Sequence, residues 1–161
     1  MGIRNIRVND DPILKKISRP VDKFDERLYI LLDDMRDTMH QADGCGLAAV
    51  QVGVLKRVVV VDVGDGLIEL INPEIIEQSG EQYEVEGCLS LPGKNGITRR
   101  PMKVKVKAQN REGKWCHYTG EGLKARAFCH EIDHLDGHLY TERLAPDEVV
   151  KRIMQEAGTE E

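Results

Sequence analysis

The sequence reads as an α+β chain, and three observations carry that reading. β-branched and alternating stretches cluster in the middle of the chain, from residue 56 to 120. Runs with apolar residues at helical spacing lie before and after them. The two kinds of element are segregated rather than alternating as β-α units, which argues against a parallel sheet. The length of 161 residues suits a single domain spanning 1–161. A chain of that size can bury roughly 70% of the surface its unfolded form exposes, so a core needs no covalent staples.

Taken in order, "FDERLYILLDDMRDTMHQADG" (24–44) repeats Leu28, Leu31, Leu32, Met35 and Met39 at helical spacing, and Gly44 is a natural stop. "KRVVVVDV" (56–63) is a buried strand by its β-branched run, and "LIELINPEI" (67–75) a second strand after the turn "GDG". "MKVKVKAQNREGKWCHYTG" (102–120) is the clearest hairpin. Val104, Val106 and Ala108 point to one face, Lys103, Lys105 and Lys107 to the other, and "NREG" (110–113) closes it. The lysine row reads as a solvated strand face before an anionic docking strip. "EGLKARAFCHEIDHLDG" (121–137) is a helix ended at Gly137. A short C-terminal helix is expected from Asp147, after Pro146, to about Ala157, with "GTEE" (158–161) frayed.

Composition excludes several function classes. The formal net charge is −5, whereas non-specific nucleic-acid binding depends on Lys and Arg neutralising phosphates. No specific nucleic-acid partner is therefore expected. No apolar run approaches the roughly 20 residues of a membrane span. "MGIRNIRVND" lacks an apolar signal core, and Ile6 stands where a myristoylation pattern wants Ser or Thr. A cytoplasmic protein without a membrane partner is the expectation. The four cysteines, Cys45, Cys88, Cys116 and Cys129, form no C-x-x-C pair. In a reducing compartment they are free thiols or metal ligands.

The chemistry concentrates in "AFCHEIDHLDG" (127–137), where His130, Glu131 and His134 spell H-E-x-x-H. On a helix, positions i and i+4 share a face, so the two imidazoles can converge on one ion. The pattern arises by chance in about one chain in a hundred of this length. The ordinary alternative is a partly buried helix carrying structural histidines. Two imidazoles leave a metal under-coordinated, so a further ligand is needed. His138 fails the extended metzincin spacing, whose third position here is Thr141. Cys129 sits about 100° around the helix from His130. Cys116 and His117 lie in a strand with no special setting, and the P-C-x-x-C partner of zinc deaminases is absent. Cys88 lies in "YEVEGCLSLPG" (83–93), where Gly87, Ser90, Pro92 and Gly93 imply a tight, irregular segment. Such a segment can present a thiolate and its own N–H groups to a helix face. One thiolate and two neutral imidazoles suit iron(II) or zinc and leave a position open for water.

Three motifs together resemble the peptide deformylase family: "GCGLAAVQVG" (44–53), "EGCLS" (86–90) and "HEIDH" (130–134). The resemblance covers essentially the whole chain. It implies an α+β fold with the H-E-x-x-H helix packed among small antiparallel β-sheets, flanked by N-terminal and C-terminal helices. It implies a cytosolic hydrolase that takes the formyl group from the N-terminal methionine of newly made polypeptides, so N-formylmethionyl nascent peptides are the expected partner. Carried over by motif, Cys88, His130 and His134 are the metal ligands. Iron(II) is the expected ion, with Zn(2+), Ni(2+) or Co(2+) able to occupy the site. Glu131 is the general acid/base, and Gln51 with the backbone N–H of Leu89 stabilises the oxyanion. Backbone around Cys45, Gly46 and Gly87 holds the peptide as an added strand. The methionine pocket draws on the helix face of Leu123 and Ala127.

Some positions depart from the pattern. Val50 replaces a frequent proline, and Arg126, on the same helical side as Leu123 and Ala127, is unexpected in an apolar pocket, where its stem can pack while its head reaches water. Some relatives dock a C-terminal helix on the ribosome near the exit tunnel. Here Asp147, Glu148, Glu156, Glu160 and Glu161 outnumber Lys151 and Arg152, a weak composition for binding RNA. Two other readings share the H-E-x-x-H motif. A small zinc peptidase would use His or Glu as third ligand and survive loss of Cys88. A non-catalytic metal module would survive loss of Glu131.

Overall fold

A computed structural model describes residues 2–159. Helix α1 (Glu26–Gln41) is followed by the short strand β1 (Gly46–Ala48) and a 3-10 turn over Ala49–Val52. Strands β2 (Val58–Val61), β3 (Ile68–Ser79), β4 (Gln82–Cys88), β5 (Leu91–Arg100), β6 (Lys103–Gln109) and β7 (Trp115–Glu121) come next. Helix α2 (Leu123–Leu135) and helix α3 (Asp147–Thr159) complete the chain, with a 3-10 turn at Tyr140–Glu142 between them. One antiparallel sheet runs in the order β1-β2-β3-β6-β7, and β4 pairs with β5 as a separate two-stranded ribbon. The α+β expectation holds. No helix among the described residues is long and apolar enough to cross a membrane.

The five-stranded sheet is covered on both faces where it is most apolar. Val59 and Val61 join α2 residues Ala125, Phe128, Cys129 and Ile132 in one core. Val58 and Val60 point the other way, into a second core with Leu28, Leu31, Leu32, Met35 and Met39 of α1. Burial on both faces is why β2 reads as a continuous apolar run rather than an alternation. Strand β1 splits in the same sense, with Leu47 in the α1 core and Ala48 in the α2 core. Its neighbour Gly46 therefore faces α2, by the period of two.

The hairpin of β6 and β7 is as the sequence indicates. Val104, Val106 and Ala108 are buried, while Lys105 and Lys107 sit opposite Glu77 and Glu74 across the strands. Those cross-strand acids settle the lysine row as a solvated, charge-balanced face. Helix α2 ends at Leu135 and is closed just beyond by Gly137, the expected stop: its φ of +78° is a left-handed conformation, and a Cβ there would lie 2.4 Å from the carbonyl oxygen of Lys15.

Other features differ from the sequence expectation: Glu121, expected in the helix, ends β7. Strand β3 continues to Ser79, four residues past the expected end, because β6 keeps pairing with it across two register shifts. The ribbon β4–β5 was not foreseen, because apart from Leu91 its strands bury polar residues: Gln82, Glu86, Thr98 and Arg100. Helix α3 runs to Thr159 instead of ending near Ala157, so Gly158 and Thr159 are helical rather than frayed. The remaining two residues of that expectation, 160 and 161, lie outside the described residues.

Candidate metal centre

Cys88 ends β4, and the turn at Leu89 and Ser90 leads straight into β5. The ladder jumps there, from Gly87 opposite Asn95 to Cys88 opposite Leu91, leaving residues 92–94 as a bulge on β5. This is the irregularity that the Gly, Ser and Pro residues of the segment signal. It turns the Cys88 side chain toward α2. The Sγ atom lies 3.3 Å from His134 Nε2, which in turn lies 3.2 Å from His130 Nε2.

The three ligand atoms all lie within 4.8 Å of one another. Tetrahedral bonds of about 2.0–2.3 Å to nitrogen and sulfur set ligand–ligand edges of about 3.3–3.7 Å. The two observed close approaches match such edges, so the donor set fits a divalent ion. His138 is outside this group, paired with Glu142 at 3.1 Å on the surface. Cys129 is packed in the α2 core, and Cys116 and His117 sit on β7.

The imidazole of His130 is oriented from behind. Its Nδ1 meets Glu86 Oε1 at 2.5 Å, which leaves Nε2 for the ligand role. Glu86 is itself held by Arg100, with Nη2 donating to Oε1 at 2.7 Å and Nε to Oε2 at 3.2 Å, and by the Thr98 hydroxyl at 2.7 Å. Arg100 reaches on to Asp133 at 2.7 Å, and Asp133 also accepts from Arg143. Burial opposes ionisation of Glu86, yet the donors from His130 and Arg100 prevail and hold its carboxyl down to about 2. The polar residues that hid the ribbon from sequence reading thus orient a candidate ligand. Glu86 sits two residues before Cys88, inside the quoted motif "EGCLS", and sequence reasoning missed it. The available signal was a pair of charged residues, Glu86 and Arg100, in a stretch lacking apolar alternation. Tyr140, also missed, stacks near the His130 ring with centroids 6.3 Å apart.

Glu131 is buried beside the ligands, with Oε2 3.9 Å from His130 Nε2. Its Oε1 has no hydrogen-bond partner among the described residues. Burial pushes its carboxyl up to about 7, against the pull of His130. A carboxyl in that range can both take and return a proton near neutrality. Burial disfavours charge on both imidazoles. In His134 it prevails, aided by the neighbouring His130, and the ring is held well below the usual histidine range, in the neutral form a metal needs. In His130 burial is outweighed by Glu131, Cys88 and Glu86, which together hold it well above that range.

Gln51 is fully buried in the 3-10 turn after β1. Its Oε1 accepts from the Ala48 N–H at 2.9 Å, and its Nε2 donates to Ser90 Oγ at 3.0 Å while lying 3.7 Å from Cys88 Sγ. The amide nitrogen therefore faces the cluster. These side chains open onto a cleft of about 450 Å³, also lined by Cys45, Gly46, Gly87, Leu89, Leu123 and Ala127. Every sequence-predicted site residue lines this cleft or, in the case of His134, lies immediately behind it. Asp62 donates its N–H to Cys45 O, and Gly46 stands opposite Val61. In an antiparallel ladder that register makes Gly46 a non-hydrogen-bonded position, so its N–H and C=O turn away from β2.

Comparison with known proteins places this geometry. The sequence profile of the polypeptide deformylase family matches residues 3–150. A peptide deformylase of Alkaliphilus metalliredigens is 60% identical over 144 residues, covering 89% of this chain and 98% of that protein. The crystal structure of peptide deformylase from Thermotoga maritima superposes with a TM-score of 0.88 at 44% identity, covering 91% of this chain and all of that one. A class I type b peptide deformylase of Acinetobacter baumannii, crystallised with Met-Ala-Ser bound, has a TM-score of 0.83 at 34% identity, covering 88% and 98% of the two chains. The chain belongs to the polypeptide deformylase family, metal-dependent hydrolases that remove the N-formyl group from newly made polypeptides.

Proposed function

We propose that the cleft is the deformylation site, with Cys88, His130 and His134 holding one divalent ion. We assign Fe(2+) as the native ion, because thiolate with imidazole suits iron(II). Zn(2+), Ni(2+) and Co(2+) accept the same donors. The observation that carries this reading is the convergence of three ligand atoms beside a buried carboxylate whose Oε1 has no hydrogen-bond partner among the described residues. When bound, the ion supplies an acidified water and polarises the formyl oxygen.

The chain's own residues do the rest. Glu131 takes a proton as water attacks the formyl carbon, then delivers it to the departing amine, so formyl-peptide and water become formate and a free methionyl peptide. Negative charge gathers on the formyl oxygen, where Gln51 Nε2 and the Leu89 N–H are the donors. One such donor is worth about 10²–10³ in rate. The peptide lies along the cleft as an added strand on the backbone of Cys45, Gly46 and Gly87. The outward-turned N–H and C=O of Gly46 suit that pairing. The methionine side chain packs on Leu123 and Ala127. Met-Ala-Ser, bound by the Acinetobacter enzyme, is the kind of product this reaction leaves. The cytoplasm is the compartment we assign, since formylated chains emerge there. Encounter near the ribosomal exit tunnel fits the substrate, although α3 has acids at Asp147, Glu148 and Glu156 where an RNA anchor wants cations.

The test is metal analysis of anaerobically purified protein paired with formate release from formyl-Met-Ala-Ser. One ion per chain and formate release are expected, with both lost in Cys88→Ala. A metal-loaded protein that releases no formate, or a Cys88→Ala variant that keeps full activity, refutes the assignment.

A further inference from the structure

We propose that Arg126 forms an anion-accepting subsite of the cleft, favouring formyl-methionyl chains with Asp or Glu among the first two residues after methionine. The inference rests on the cleft being the deformylation site. Arg126 lines the cleft from α2, between Leu123 and Ala127 in sequence. Its side chain is 16% exposed, so the stem is packed. Its guanidinium makes no hydrogen bond among the described residues. Its one ion pair there is to Glu84 at 4.0 Å, and the Glu84 side chain is 60% exposed. A guanidinium has five N–H donors in a planar fork that matches a carboxylate. Cations this far buried are ordinarily paired, as Arg100 is with Glu86 and Asp133. Arg126 has only the long contact with exposed Glu84, and it lines the cleft.

The surroundings decide which charge it selects. Glu86 is committed to Arg100 and His130, and Glu131 lies in the catalytic cluster. Asp43 also lines the cleft but is exposed, so water screens it. Glu84 is a loose partner that a substrate carboxylate can displace, since long, exposed pairs contribute little. With methionine seated on Leu123 and Ala127, Arg126, next to Ala127 and three positions from Leu123 on α2, stands within reach of the residues just after it. Their backbone is engaged by the sheet edges, leaving side chains free to reach the guanidinium.

The test compares C-terminally amidated formyl-Met-Glu-Ser and formyl-Met-Ala-Glu with their Gln counterparts, using metal-replete enzyme at low salt. Amidation removes the terminal carboxylate as a competing anion. The Glu/Gln ratio of kcat/KM is expected at about 3–10 for at least one position, carried by KM and shrinking as salt rises. In Arg126→Gln the ratio falls to near one. Arg126→Lys keeps it above one, and Glu84→Gln raises it by removing the competitor. A wild-type ratio of one or less, or a ratio unchanged in Arg126→Gln, overturns the proposal. Failure of the Gln peptides to release formate would instead refute the assignment of the cleft itself.

Discussion

Gly46→Ala isolates the steric tolerance of the site. A Cβ at Gly46 would lie 2.5 Å from Glu131 Oε2, 2.8 Å from its Cγ and 2.9 Å from its Cδ. Ordinary contacts to carbon or oxygen begin at about 3.4 Å, so the Glu131 carboxylate must retreat by about 1 Å. The side chain is buried, and two of the three close atoms, Cγ and Cδ, lie on the bond about which the carboxylate turns, so a rotation of the carboxylate alone does not relieve them. The backbone itself has no objection to alanine: Gly46 is an extended strand residue without positive φ. Misplacing a reacting group by about 1 Å costs about 10² in rate. We therefore expect kcat on formyl-Met-Ala-Ser to fall about 100-fold, with KM nearly unchanged because the backbone groups remain. Metal content should stay at one per chain, and the melting temperature should move by only a few degrees. In a Glu131→Gln background the same substitution should cost much less, since the displaced base is already gone. A kcat within about threefold of wild type, or a loss confined to KM, would refute the steric reasoning and leave Gly46 as a peptide-binding position only.

Glu131→Gln keeps the shape and removes the base; metal content should hold near one per chain while turnover drops at least about 10²-fold, and near-normal turnover would remove Glu131 from the chemistry. Glu86→Gln withdraws an anionic partner from buried Arg100 and from His130; a loss of about 3 kcal/mol in urea unfolding and a 10–100-fold weaker metal affinity are expected, and unchanged affinity would make Glu86 purely structural. The same carboxyl links stability to pH. Its folded value of about 2 lies below the ordinary 4.5, so its contribution of about 3 kcal/mol is fully present above pH 4.5 and is lost as pH falls toward 2; in Glu86→Gln that part of the acid unfolding curve should flatten. The iron form should lose activity in air within minutes to hours, with added oxygen found by mass spectrometry mainly on Cys88, while the zinc form stays intact; oxidation spread evenly over the four cysteines would deny Cys88 its special place.

The parts of the fold visible in the sequence are those whose burial is apolar and periodic. The α1 stripe of Leu28, Leu31, Leu32, Met35 and Met39 is buried as its spacing demands. The alternation of Val104, Val106 and Ala108 fixes the β6–β7 hairpin in register. β1 was not anticipated, because "GLA" is three residues long and offers no period to count. The β4–β5 ribbon escaped for a different reason. Apart from Leu91 at its turn, its inward positions are Gln82, Glu86, Thr98 and Arg100, and Val85 is 62% exposed, so a hydrophobic pattern points to the wrong face.

That inversion follows from what the ribbon must do. A metal-ligating imidazole needs an acceptor behind it to fix its tautomer, and a carboxylate in that position must be buried with it. A buried carboxylate needs a cation, which Arg100 supplies, and a buried guanidinium has donors left over, which Asp133 takes up. Each satisfied group thus requires the next, until the array reaches partly exposed Arg143. An apolar ribbon would pack equally well against α2 but could not orient His130. The two candidate imidazole ligands were legible because H-E-x-x-H is a local spacing on one helix, and Cys88 because Gly, Ser and Pro mark its segment as irregular. The support behind them was not, because Glu86, Arg100, Asp133 and Arg143 lie on β4, β5, α2 and the segment before α3. Sequence separation between the supporting residues is what hides them, and hydrogen-bond satisfaction in three dimensions is what selects them.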